Sequence, residues 1–157
     1  MTNLNFTIEA TCPQDTEAIL AMSQHRFGGE DIILLEESLN KYFTLGAEKS
    51  GYYFLTCHGG GQSIGFVGYR AHPLTMGTFD LIWLAADEPP VGQAMLERLT
   101  QKVKNLAGRL IIAETASARP DYDLMRQLYE THHYKCEMTI ADFYAPGNDL
   151  LIYVQRL

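Results

Sequence analysis

One helix set between two apolar runs constrains this chain more than anything else in it. Val91, Met95, Leu99 and Val103 lie four residues apart, and Leu96 and Leu106 widen the same stripe. That spacing follows one face of a 3.6-residue period and predicts an amphipathic helix ended by Gly108. Residues 78–85 before it read as a strand. After it, Leu110, Ile111, Ile112 and Ala113 form a short, continuous apolar run, as a strand buried on both faces should. Strand, helix, strand is a βαβ unit with a right-handed crossover. It commits the chain to an α/β (mixed α+β) sheet fold.

The remaining elements fall around this unit. Phe6, Ile8 and Ala10 alternate along a first strand. Thr11-x-x-Gln14 reads as a capping box with Pro13 in the first turn, leading a helix with Ala18, Ile19 and Met22 on its apolar face. Gly28-Gly29 breaks it. Ile32, Leu35, Leu39 and Tyr42 give a second helix from about Glu30. The β-rich run 52–57 and the run 64–69 flank Gly59-Gly60-Gly61, a hairpin signal. A fourth helix covers about 122–132, with Met125, Leu128 and Tyr129 on one face. Two late strands, near 134–141 and 150–155, flank Pro146-Gly147-Asn148-Asp149. The expected order is β-α-α-β-β-β-α-β-α-β-β, with about six to seven strands and four helices.

The 157 residues suit one domain spanning 1–157, and 46% hydrophobic content is enough to fill its core. A net charge of -7 argues against a general nucleic-acid or anionic-membrane binder, and it is compatible with a cationic substrate such as an amine. No apolar run reaches the length of a membrane span, and Met1 to Asn5 do not look like a signal peptide, so a cytoplasmic location is expected. Cys12, Cys57 and Cys136 are odd in number and lack a C-x-x-C spacing. They read as packing residues, with neither disulfide nor metal site expected. His132-His133 reads as a solvated helix end, since adjacent helical side chains diverge. His25, His58 and His72 have no partner spacing and receive no role.

Several runs carry a resemblance. Thr75-Met76-Gly77-Thr78-Phe79-Asp80-Leu81-Ile82-Trp83, the strand end Glu114-Thr115, Leu128-Tyr129-Glu130, and the tail 142–149 (DFYAPGND) are similar to one branch of the GNAT superfamily of acyl-CoA-dependent N-acyltransferases. The resemblance covers nearly the whole chain. It implies a sheet whose fourth and fifth strands are parallel neighbours, with acetyl-CoA as the acyl donor. It also implies direct attack of an amine on the thioester, the carbonyl oxygen being held by strand N–H groups. A tyrosine on the last helix often protonates the departing thiolate in that family, and the matching residue is Tyr129, which also reads as a core residue because it shares a face with Met125. Asp80 and Glu114 are the candidate bases for the amine proton. Asp80 reads equally as a structural acceptor, and Glu114 as the cap of the next turn. The implied cofactor-binding positions are Leu84, Ala85, Ala86, Val91, Gly92 and Gln93.

The loop after the fourth strand departs from the family pattern Q/R-x-x-G-x-G/A, whose N–H groups hold pyrophosphate at a helix N-terminus. Without a gap, Asp87 takes the Q/R position and Pro90 the first glycine, while Gly92 matches the last. The segment is about four residues shorter than in the branch it resembles. Pro89 and Pro90 have no N–H to donate, and Asp87 and Glu88 bring negative charge. The same residues make a good helix start. His133 stands where the family has glycine, at a position expected to hold φ > 0.

Two functions follow from this pattern. The first is an N-acetyltransferase acting on a small-molecule amine or peptide; a homodimer is compatible with it. The second is a non-catalytic GNAT-like binding or regulatory module with weak or lost coenzyme A binding.

Overall fold

The computed structural model describes residues 5–157; the reading of the first four residues lies outside them. Strands β1 (Phe6–Ala10), β2 (Tyr52–Gly59), β3 (Gln62–Ala71), β4 (Thr78–Ala86), β5 (Leu110–Ala116), β6 (Lys135–Ala145) and β7 (Asn148–Arg156) form one mixed sheet. Their order is β1-β2-β3-β4-β5-β7-β6. The α-helices among the described residues are α1 (Thr16–Ser23), α2 (Gly29–Ser50), α3 (Pro89–Asn105) and α4 (Tyr122–Thr131). The element order matches the expected one, with a 3-10 turn at Pro13–Asp15 added before α1. The chain packs as two compact units, Met1–Arg70 with Trp83–Met95, and Ala71–Ile82 with Leu96–Leu157.

In the first unit, β1 pairs antiparallel with β2, and β2 with β3. Gly60 and Gly61 both adopt positive φ, +58° and +78°, as a two-residue hairpin turn of the primed type requires. Ile19, Leu35, Leu39, Phe54 and Phe66 are buried on these elements, so the α1 and α2 stripes face the core as their spacing predicts. Phe54 stacks on Trp83 at 5.9 Å. Gly68 makes this stack possible, because a Cβ there would lie 2.6 Å from Phe54 and 2.8 Å from Trp83. The expected capping box moves by one residue: Cys12 N–H donates to Asp15 Oδ2 at 2.9 Å. Thr11 is unavailable because its N–H continues the sheet to Phe54 O, and its hydroxyl meets Thr56 Oγ1 at 2.7 Å.

In the second unit, β4 and β5 run parallel, from Thr78↔Leu110 to Leu81↔Ala113. This is the neighbouring parallel pair the βαβ reading requires. β7 inserts antiparallel between β5 and β6. Leu96, Leu99 and Val103 are fully buried, but Leu106 is 41% exposed because α3 ends at Asn105. The left-handed residue after α3 is Ala107 (φ +59°), not Gly108. Gly108 is needed for a different reason: a Cβ would lie 2.2 Å from Val103 Cγ1. His133 does hold φ +65°. The turn between β6 and β7 is clasped by side chains. Asp142 Oδ1 accepts from Gly147 N–H, Asp149 Oδ1 from Asp142 N–H, and Asn148 Oδ1 from Ala118 N–H. Ser117 Oγ accepts from Asp149 N–H, which ties the turn to the end of β5.

The cysteines differ from the packing role expected of them. All three are free, but only Cys57 is buried; Cys12 and Cys136 are exposed. Among the described residues no group of His, Cys, Asp and Glu could hold a metal ion, and no helix is long and apolar enough to cross a membrane.

Candidate active site

The second unit holds the three candidate catalytic residues. Residues in register on parallel strands share a face, and alternate residues along a strand do too. Asp80 registers with Ile112. Glu114 is two residues further along β5, so both carboxylates lie on one face. Tyr129 belongs to the other. Its ring packs on Tyr153 at 5.2 Å, and Tyr153 registers with Ala113, which has the opposite parity on β5.

Tyr129 is 3% exposed and also packs on Tyr134 at 5.2 Å. Burial pushes its hydroxyl pKa well above the ordinary tyrosine value. Arg119 pulls it down and Asp121 pushes it up, so the hydroxyl feels an ion pair that follows β5 directly. Arg119 donates from its terminal nitrogen to Asp121 Oδ2 at 3.1 Å, which sets its guanidinium beside α4. Tyr122 and Tyr153 share a 3.1 Å hydroxyl–hydroxyl hydrogen bond in the same aromatic group.

Asp80 is engaged by His72. Both carboxylate oxygens lie 2.9 Å from His72 Nδ1. The imidazole is half-exposed, and the Nδ1 contacts with the carboxylate orient the ring. Glu114 is exposed and makes no ion pair among the described residues. His72 had no role in the sequence reading, and neither did Arg119. No periodic spacing marks either of them, because each acts through a partner placed by a turn.

The first unit holds the implied cofactor positions. Leu84, Ala85 and Val91 are buried, Ala86 is half-buried, Gly92 is buried and Gln93 is exposed. A helix start leaves its first four N–H groups without internal partners. Here α3 starts at Pro89, directly after Glu88, and Pro89 and Pro90 have no N–H. Val91 and Gly92 both donate to Glu88 O, at 3.0 and 3.2 Å. Asp87 N–H donates to Ile64 O at 3.0 Å. Arg26, from beyond α1, reaches this turn: it donates to Met22 O at 2.8 Å and Ala86 O at 3.0 Å, and its guanidinium lies 3.6 Å from Asp87. Gly65 on β3 lets α3 begin close to the sheet, since a Cβ there would meet Val91 at 2.9 Å and Ala85 O at 3.0 Å.

A separate, half-buried cluster joins Asp15 to His58 Nε2 at 2.7 Å and to Ser63 Oγ at 3.4 Å. Burial alone would raise the Asp15 pKa; the Cys12 N–H and His58 outweigh it and hold the carboxyl below its ordinary value. Its partners are structural, pinning the turn before α1 to β2 and β3.

The strand order, the parallel β4–β5 pair and the tyrosine-bearing α4 together are the fold of GNAT-family N-acetyltransferases. Among solved structures, a GNAT-family protein of Desulfovibrio desulfuricans is 26% identical, with 97% of this chain and 99% of that one covered at a TM-score of 0.87. The ribosomal-protein-S18-alanine N-acetyltransferase of Escherichia coli is 15% identical over 97% and 94% of the two chains, with a TM-score of 0.75. The Salmonella typhimurium protein yncA, solved with its cofactor acetyl-CoA, is 15% identical over the same shares, with a TM-score of 0.78. Sequence comparison finds no matching family profile and no matching curated protein.

Proposed function

We propose that this chain is an N-acyltransferase that moves an acetyl group from a thioester to a primary amine. The observation that carries the reading is Tyr129. It is a buried phenol, held protonated, beside the Arg119–Asp121 pair, on the face of the sheet opposite Asp80 and Glu114. The thioester supplies an electrophilic carbonyl; the residues of the chain manage the protons. Asp80 with His72 accepts one from the incoming ammonium, and Glu114 is the alternative acceptor. Tyr129 donates one to the departing sulfur.

The start of α3 does not fit the pyrophosphate of coenzyme A. From Asp87 to Gly92, two N–H groups are missing and three are already spent on Ile64 O and Glu88 O, leaving only that of Glu88. Two carboxylates stand at the same place. This favours a second reading, a non-catalytic GNAT-like module with weak or lost coenzyme A binding.

An acetyl-transfer assay separates the two. The full chain is incubated with acetyl-CoA or S-acetylpantetheine and a panel of primary amines that includes alanine-initiated peptides and aminoglycosides, and products are read by mass. Acetylation above the uncatalysed rate supports the enzyme. Its absence with both donors, in protein that is folded, supports the binding module. The acceptor is a primary amine of either class, a range matched by the names of the similar structures, which include an enzyme acting on a ribosomal-protein alanine and one acting on aminoglycosides.

A further inference from the structure

We infer that the acyl donor is a pantetheine-type thioester without the 3′-phospho-ADP part of coenzyme A. The inference rests on the acyltransferase reading and narrows its donor.

Two independent features of the first unit exclude the nucleotide diphosphate. The first is the filled hydrogen-bond inventory of the turn. Asp87 N–H is used by β3, the N–H groups of Val91 and Gly92 are used by Glu88 O, and the two prolines between them have none. A pyrophosphate at this helix start would meet a single free backbone donor where the anion sites of such helices offer several. The second is Arg26. Its guanidinium reaches the turn and is already directed at Met22 O, Ala86 O and the Asp87 carboxylate. It neutralises the chain's own acid, with Glu88 left exposed next to it. A dianionic or more highly charged group therefore gains little from Arg26 and is repelled by Glu88, on a protein of net charge -7.

None of these obstacles touches a neutral thioester arm. Pantetheine is uncharged, and its amides need strand N–H and C=O groups rather than a helix N-terminus. The transfer itself does not involve the nucleotide. The amine nitrogen forms a bond to the acyl carbon and the carbon–sulfur bond breaks. The sulfur leaves with the Tyr129 proton, tyrosine is restored by the proton lost from the new amide nitrogen, and the proton first taken from the ammonium passes to solvent. The sum is ammonium plus thioester giving amide, free thiol and one proton. The shared chemistry is the S-acyl pantetheine group, whether carried by a small thioester or by the phosphopantetheine arm of a carrier protein.

Calorimetric titration of the full chain tests this with four probes: acetyl-CoA, S-acetylpantetheine, adenosine 3′,5′-bisphosphate, and a carrier protein bearing an acetyl-phosphopantetheine arm. The expected result is that S-acetylpantetheine binds at least as tightly as acetyl-CoA, with no heat from the bisphosphate. Carrier binding tenfold tighter than S-acetylpantetheine identifies the carrier as the source, and equal or weaker binding identifies a small thioester; both support the shared group. Acetyl-CoA binding tenfold or more tighter than S-acetylpantetheine overturns the inference while leaving the acyltransferase reading intact. Binding of none of the thioesters at millimolar concentration overturns both.

Discussion

Repairing the turn before α3 should create coenzyme A affinity, and the structure sets the size of the gain. The variant combines Asp87→Gln with Pro90→Gly, which restores the amide side chain and first glycine of the phosphate pattern. Pro90→Gly returns one backbone N–H to the first turn of α3, where the helix itself has no acceptor for it. A hydrogen bond to a charged group is worth about 1.5–3 kcal/mol. Removing the Asp87 carboxylate takes away a repulsion and frees Arg26, which sits 3.6 Å from it. At 1.4 kcal/mol per tenfold, coenzyme A should bind about ten- to a hundredfold more tightly. The cost to the fold is small. Asp87 is more than half exposed, and ion pairs of that kind contribute about 0–1 kcal/mol. Replacing proline by glycine frees the unfolded chain by about 1 kcal/mol more. Calorimetry with acetyl-CoA and with S-acetylpantetheine, beside urea unfolding of both proteins, reads each quantity. S-acetylpantetheine affinity should not change. An unchanged affinity for acetyl-CoA in a folded variant, or micromolar binding already in the parent chain, would refute the donor count.

Tyr129→Phe keeps the ring against Tyr134 and Tyr153 and removes only the hydroxyl, so turnover should fall about 10²–10⁴-fold with an unchanged unfolding midpoint; equal turnover removes it from the mechanism. Gly68→Ala forces a methyl into the Phe54–Trp83 stack and should destabilise the chain by about 1–3 kcal/mol in urea unfolding. His133→Gly relieves a left-handed histidine at φ +65° and should stabilise by about 1 kcal/mol; an equal or lower midpoint would show that the histidine earns its place by another contact. Asp15 has a lowered folded pKa, so its contribution is complete above its unfolded value of 3.8 and is lost as pH falls through the lower folded one. Asp15→Asn should therefore be destabilised at neutral pH, and the gap to the parent should close below pH 3.8. A gap that stays constant with pH would show that the carboxylate charge contributes nothing.

Local pattern and long-range pairing divide what could be read from the residues alone. The α3 stripe at 91, 95, 99 and 103 is wholly buried, and the parallel strands on either side of it are neighbours. A helix with one apolar face and a fully apolar strand leave few other arrangements, so this part was readable. The positive φ at His133 came from the resemblance, which puts a glycine at that position, rather than from the residues themselves. The Thr11 cap was misplaced by one residue because its competitor, the Thr56 hydroxyl, is 45 residues away. Asp15–His58 joins residues 43 apart, and Arg26 meets Ala86 across 60. A single sequence carries no periodic trace of such pairs, because the fold alone brings them together.

The consequence for the site is asymmetric. The parity argument needs only strand register: with Asp80 opposite Ile112, every second residue of β5 follows, and Glu114 must share its face while Ala113 and Tyr153 take the other. Tyr129 reaches Tyr153 from α4, so the proposed acid packs on the other face of the sheet from the two proposed bases. That separation is built into the backbone and would survive most side-chain changes. The donor end has no such protection. It depends on which N–H groups a six-residue turn leaves unspent, and two prolines and the Glu88 carbonyl decide it. A fold can therefore keep the geometry for moving an acyl group while changing which thioester it accepts. On the proposed reading, the departures from Asp87 to Gly92 fall on the donor's charged end, while Asp80, Glu114 and Tyr129 of the second unit lie outside them.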